Sequence, residues 1–186
     1  MKVFQTIGRT FFAAVIFAAA GSGIHGQKMN GENTGKYPLR QDVATIDGLM
    51  KASYEVVSGG AGEKRNWERD NSLHHKNALY YFFKNVDGQR RLVSMTLAEF
   101  HGLTDEMVAT TPFYETEVNR EVRVYGKMAH VWSTYETRLV KDGPAARRGI
   151  NSVQLLNEND RWYVVSWIFE GETAANPIPR TFDSQR

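Results

Sequence analysis

The sequence predicts an α+β fold in which a curved antiparallel sheet is wrapped around N-terminal helices. Three observations carry this. The stretch 124–170 holds three long strand-like runs, MAHVWSTYETRLVK, RRGINSVQLLN and RWYVVSWIFEG, separated by DGPAA and ENDR. They are rich in Val, Ile, Tyr, Trp, Phe and Thr, and Gly, Pro, Asn and Asp mark the reversals. Runs of ten or more residues are long for strands of a small domain, so the sheet must curve around something. Helical periodicity, by contrast, is concentrated earlier in the chain, and helices segregated from a terminal run of strands give the α+β class.

Taken in order, Val43, Ile46, Leu49, Met50, Tyr54 and Val57 recur at spacings of three and four and fall on one helical face. Asp42 is the expected cap of this helix and Gly59-Gly60 its end. Lys64 to Asn71 predicts a second, short helix carrying Trp67 on its inner side. Ala78 to Phe83 is a strand, VDGQ a tight turn, and Leu92 to Met95 the returning strand. Thr96 with Glu99 forms a capping box for a helix bearing Leu97, Phe100, Leu103 and Met107. Phe113 to Tyr125 alternates and pairs across Gly126-Lys127 with the long meander. A curved sheet covered on its concave face by the first long helix leaves a pocket between the layers.

Composition narrows the classes. Lys2 and Arg9 precede the apolar run Phe11 to Ala20, with small residues after it, so 1–26 reads as a secretory signal peptide. Ten apolar residues are too few to span a bilayer as a helix. An uncleaved anchor or a buried helix is the alternative, and cleavage after Ala20 or after Gly26 are both open. The expectation is an exported chain, periplasmic or secreted, without a stable membrane anchor after cleavage. Residues 27–40 are a polar lead-in, 41–171 the domain, and 172–186 a loose tail. Of 23 basic residues two lie in the leader, leaving 21 against 21 acidic ones. A neutral domain lacks the electrostatic footprint of a nucleic-acid binder, and the pairs Lys64-Arg65, Arg90-Arg91 and Arg147-Arg148 read as solvated edges. With no Cys in the sequence there is no disulfide, no thiol catalysis and no thiolate metal site. No metal or other cofactor is expected.

The helix DVATIDGLMKASYEVV, the segment WERDNSLHHKNALYYF and the closing runs HVWSTYETR, RGINSVQLL and RWYVVSWIFEGE together resemble the nuclear transport factor 2-like superfamily, also called SnoaL-like or cystatin-like α+β cones. The resemblance covers about 41–171. It implies a cone-shaped barrel with an interior pocket, and a homodimer formed through the outer sheet face. It implies no single function, because members include isomerases, dehydratases, cyclases, hydrolases and domains without catalysis. In one respect the chain departs from the pattern. Isomerase-type members place an acidic base early in the first strand, and Ala78 to Phe82 holds no carboxylate.

The histidine candidates for acid–base work are His74, His75 and His130. His74 and His75 are adjacent, so on an extended chain they point to opposite faces and do not share one metal. His101, between Phe100 and Leu103, reads as structural. Strand alternation puts His130, Trp132, Thr134, Glu136 and Arg138 on one face, where they line the pocket, meet solvent or meet a dimer partner. Glu136 and Arg138 are close enough for an ion pair, whereas His130 and Glu136 are too far apart to touch. Tyr163, Val165, Trp167 and Phe169 form an aromatic face of the last strand. The pocket expected from these patterns is lined by Trp67, Tyr81, Trp132, Tyr135, Asn151, Tyr163 and Trp167. Tyr135, Asn151 and Tyr163 either donate hydrogen bonds to a ligand carbonyl or satisfy the core.

Two readings of function follow. One is a non-catalytic domain binding a small apolar or carbonyl-bearing molecule. The other is a lyase, isomerase or hydrolase that uses His74 or His75 with Tyr135 or Asn151 as orienting groups. A plain dimerisation module is a third. A carboxylate or histidine at an enclosed cavity, with a second polar group opposite, separates the enzyme from the binder.

Overall fold

The computed structural model describes residues 36–183; the leader expected at 1–26 and most of the lead-in at 27–40 lie outside the described residues. Helices α1 (Arg40–Val43), α2 (Ile46–Val57) and α3 (Trp67–Leu73) come first, then strands β1 (His74–Val86) and β2 (Gln89–Thr96) and helix α4 (Leu97–Val108). Strands β3 (Tyr114–Tyr125), β4 (Met128–Arg138), β5 (Arg147–Glu158) and β6 (Arg161–Gly171) complete the sheet. This is the expected order of elements. Among the described residues, no helix is long and apolar enough to cross a membrane.

Local chemistry sets most boundaries. Asp87 and Gly88 adopt φ of 51° and 75°, the left-handed pair a two-residue hairpin between β1 and β2 requires. The Thr96–Glu99 capping box is formed in both directions and starts α4. The opening helix departs from expectation. Thr45 lies in extended conformation and its hydroxyl accepts from Gly48 N at 3.0 Å, so the chain restarts as α2 after the single turn of α1. Asp42 is therefore not the cap. It sits buried in α1 and accepts two hydrogen bonds from Arg69, at 2.7 and 2.9 Å.

The strand order is β2-β1-β6-β5-β4-β3. Neighbouring strands run antiparallel except β1 and β6, which are parallel. The edges β2 and β3 are not paired with each other, so the curved sheet stays open and is not a closed barrel. Its concave face takes α2: Leu49, Met50, Val131, Val153 and Val164 have no exposed surface, and Trp167 is 7% exposed. This continuous apolar layer between one helix and three strands is the main source of stability.

Two bulges decide which side chains face in. Val118 is unpaired opposite β4, between Glu117 and Asn119. Val165 is likewise an extra residue on β6, since Ser166 pairs with Gln154 and Val164 with Leu155. An inserted residue exchanges the faces beyond it. On β6, Trp162, Val164, Trp167 and Phe169 all pack against the core, and Tyr163 is turned to the outer face. The aromatic face expected of Tyr163, Val165, Trp167 and Phe169 is thus corrected.

Two of the pairs expected at solvated edges are not so. Arg65 is 7% exposed and its guanidinium donates to the carbonyls of Val57, Gly59, Gly60 and Glu63, which closes the C-terminal end of α2. Arg148 pairs with Glu136, Glu172 and Asp183. The tail, expected loose, is docked on the outer face of the sheet. Thr134 donates to the Phe182 carbonyl, Asn119 donates to the Asp183 carbonyl at 2.9 Å, and the Phe182 ring lies 5.8 Å from that of Trp132. Periodicity could not reveal this, because the contacts are made by backbone carbonyls and one ring.

Gly149 on β5 is required by close packing. A Cβ there would overlap the Tyr135 ring and the Glu170 carbonyl. Replacing Gly149 with Ala is expected to lower stability by about 1–3 kcal/mol through overpacking. Urea denaturation checks this; an unchanged midpoint would show that Tyr135 moves freely.

Candidate functional site

The site is built where α2 meets β3. Ser58, just after α2, donates to the Tyr54 carbonyl at 2.7 Å and accepts from the Glu115 N–H at 2.9 Å. Gly59 and Phe113 exchange backbone hydrogen bonds at 2.7 and 3.0 Å. These contacts fix the first residues of β3 beside Tyr54, one turn earlier on the helix. Alternation along β3 then directs Glu115 and Glu117 to the concave side. The Val118 bulge turns Arg120, rather than Asn119, to that side.

The result is a cleft of about 740 Å³ whose lining includes Tyr54, Ser58, Glu115, Glu117 and Arg120, with the β4–β5 loop at Lys141 to Gly143 on its rim. The volume suits a small molecule. Behind the lining is a buried polar chain. Tyr54 Oη lies 2.6 Å from Ser133 Oγ, and Ser133 donates to Glu117 Oε1. Ser133 has one proton, so Tyr54 must donate to Ser133. Asn151 Nδ2 donates to Tyr54 Oη at 3.0 Å, and the Asn151 side chain also bonds Glu115. Ser133 and Asn151 are 0% and 1% exposed, so this network is held away from water.

The two carboxyls stand in different surroundings. Burial pushes Glu115 up to about 8, opposed only by the hydrogen bond from Asn151. Glu117 accepts two hydrogen bonds from Arg120 and one from Ser133. Burial also raises Tyr54 and Tyr135 well above the usual phenol value, and the Glu115 charge adds to both. At neutral pH Glu115 is a neutral acid able to donate, and Glu117, two residues on, is held by the Arg120 guanidinium.

Of the residues expected at the pocket, the structure brings Asn151 into this network and sets Tyr135 near enough to feel the Glu115 charge. Trp167 lies in the core, edge-on to Tyr54 at 6.0 Å and stacked with Tyr80 at 6.1 Å. Tyr80 in turn stacks on Phe100 at 4.2 Å. These rings pack together in the core, beside the cleft and not in its lining, apart from Tyr54, which borders both. The cleft is lined by charged and hydroxyl-bearing residues together with the rings of Tyr54 and Tyr114, and not by the tryptophans expected there. Trp132 is on the opposite face under Phe182, and Tyr163 is on that face beneath the Arg161 guanidinium at 3.9 Å. Tyr81, next to inward Tyr80, is also outward. Trp67 is wedged between α3 and α4, stacked on His101 at 4.2 Å and donating to Asp105 at 2.9 Å.

None of the three histidine candidates reaches the cleft. His74 is buried, with Nδ1 2.8 Å from the Asp70 carbonyl and Nε2 2.8 Å from Tyr80 Oη. Asp70 is 1% exposed and also takes His101 Nε2 at 2.6 Å, so this cluster ties α3 to α4 and β1. His75 accepts from Asn77 N at 3.3 Å, and His130 lies 3.0 Å from Ser152 Oγ on the outer face. Glu136 and Arg138 do pair, as expected, at 2.5 Å. Sequence reasoning missed Tyr54, Glu115, Glu117 and Ser133. The one available signal was two glutamates at alternate positions of YETEV, both on one face of a strand that opens the sheet. Among the described residues, no group of three or more His, Asp or Glu side chains could hold a metal ion.

No protein-family model and no curated protein matches the chain. Solved structures do. A protein of unknown function with a cystatin-like fold from Nostoc punctiforme has a TM-score of 0.55 at 14% identity, over 69% of this chain and 90% of that one. A function-unknown protein from Mycobacterium tuberculosis has a TM-score of 0.52 at 12% identity, over 73% and 75%. A protein from Kribbella flavida has 0.50 at 13% identity, over 70% and 90%. At such identities the likeness concerns the fold alone.

Proposed function

We propose that this chain, whose fold is that of the nuclear transport factor 2-like superfamily, binds a small carbonyl-bearing molecule in the cleft and transfers a proton on it. The observation that carries the reading is the pairing of Glu115, raised to about 8, with Glu117, paired to Arg120, in one cleft. Two carboxyls with opposed environments are the usual division into acid and base. Glu115 donates to the carbonyl oxygen, and Glu117 takes the neighbouring proton, with Ser133 and Tyr54 as the relay behind it. The polar lining favours a polar ligand over an apolar one. Export directed by residues 1–26 and pairing of two copies through the outer sheet face belong to the same proposal.

Exchange of the proton α to a carbonyl, followed by NMR in deuterated solvent across a panel of small ketones and keto acids, tests it. Exchange above the buffer rate is expected with at least one compound. It should fall at least about 100-fold in both Glu115→Gln and Glu117→Gln, as loss of a general acid or base implies. Exchange that survives both substitutions, or none with any compound, overturns the reading.

A further inference from the structure

A second cavity, of about 390 Å³, lies far along the chain from the carboxyl pair. It is lined by Pro38, Arg40, Val43 and Ala44 at the start of the helical layer and by Asn159, Asp160 and Arg161 at the β5–β6 turn. We propose that it is a binding site for the oxyanion of a small molecule, a phosphate or a carboxylate, gripped by Arg40 and Arg161.

Arg40 and Arg161 both line this cavity, and among the described residues neither has an acidic partner within 4 Å, Asp160 included. Arg161 is also fixed in place. Its guanidinium lies over the Tyr163 ring at 3.9 Å, and Nη2 donates to the Ser72 carbonyl. Its Nε–H is buried without an acceptor. An arginine N–H buried without an acceptor is costly. Burial lowers its proton affinity accordingly. A planar, pre-positioned guanidinium in a cavity that a second arginine also lines is suited to carboxylate and phosphate oxygens. Asn159 offers an amide donor at the same rim. Asp160 removes one unit from the local charge, which favours a singly charged or small anion over a polyphosphate.

The probes are inorganic phosphate and acetate, titrated into the full chain at constant ionic strength and followed by amide chemical shifts. Saturable shifts are expected at 38–44 and 159–163, with little change at 113–120. Arg40→Gln, at an exposed position, should weaken binding at least fivefold without altering the melting temperature. Arg161→Lys keeps the charge but loses the fork and should weaken it similarly. Lys64→Gln, a distant exposed cation, should leave it unchanged. If acetate saturates and phosphate does not, the site takes a carboxylate; the converse assigns a phosphate. No saturation with either anion, or equal weakening by Lys64→Gln, overturns the proposal. Its fate is independent of the proton-transfer reading, which is tested at other residues by another measurement.

Discussion

Replacing Trp167 with Ala is expected to lower stability by about 3–5 kcal/mol, the range for removing a buried large aromatic. Trp167 is 7% exposed and contacts Tyr54 and Tyr80, which belong to the helix layer and to β1. Its loss leaves a hole bounded by a stacked ring on one side and the α2 tyrosine on the other, neither of which can collapse without breaking hydrogen bonds. Tyr80 is held by His74 and Tyr54 by Ser133 and Asn151. Urea denaturation at constant m-value gives the answer. A loss under about 1 kcal/mol would mean that Trp167 borders open space, as the sequence reading had it, and that the cone interior is a ligand chamber after all.

Replacing Glu115 with Gln is expected to make stability less dependent on pH. The folded-state value is about 8 against an ordinary carboxyl value of 4.5. The folded chain therefore holds this proton between those two values while the unfolded chain releases it. Stability is fully present below the unfolded value and falls as pH rises towards 8. The slope is at most about 1.4 kcal/mol per pH unit for one proton. Gln keeps the hydrogen bond with Asn151 but cannot ionise. The variant should thus gain on the parent by roughly 1–3 kcal/mol near pH 7–8 and match it near pH 5. Denaturation curves from pH 5 to 9 measure the difference. Parallel pH profiles for the two proteins would show that Glu115 ionises normally and would remove the acid from the site.

Much of the architecture was legible in the chain. The α2 face from Ile46 to Val57, the Asp87-Gly88 turn, the Thr96 cap and the four long strands each have a local cause, and local causes survive folding. Thr45 replaced Asp42 as the cap because two residues with capping side chains lie three apart, and periodicity does not choose between them. The candidate site was much less legible. Tyr135 and Asn151 were named from alternation, and their strands keep register there. The pattern alone does not separate Trp132, Tyr163 and Tyr81 from inward residues, because nothing in composition tells one face of a strand from the other when both carry aromatics.

The chain by itself determined which segments are helix and strand, their order, and the absence of any thiol chemistry, because these depend on side-chain type and spacing within a few residues. Only the tertiary structure decided which groups meet. The bulges at Val118 and Val165 reset the faces of β3 and β6, the tail folded back over Trp132, and Ser58 joined the end of α2 to β3. Glu115 lies 61 positions from Tyr54 in sequence, and its raised proton affinity arises from burial beneath elements that have no local signature in YETEV. Distances between such groups follow from how the sheet bends, a property of the packed whole.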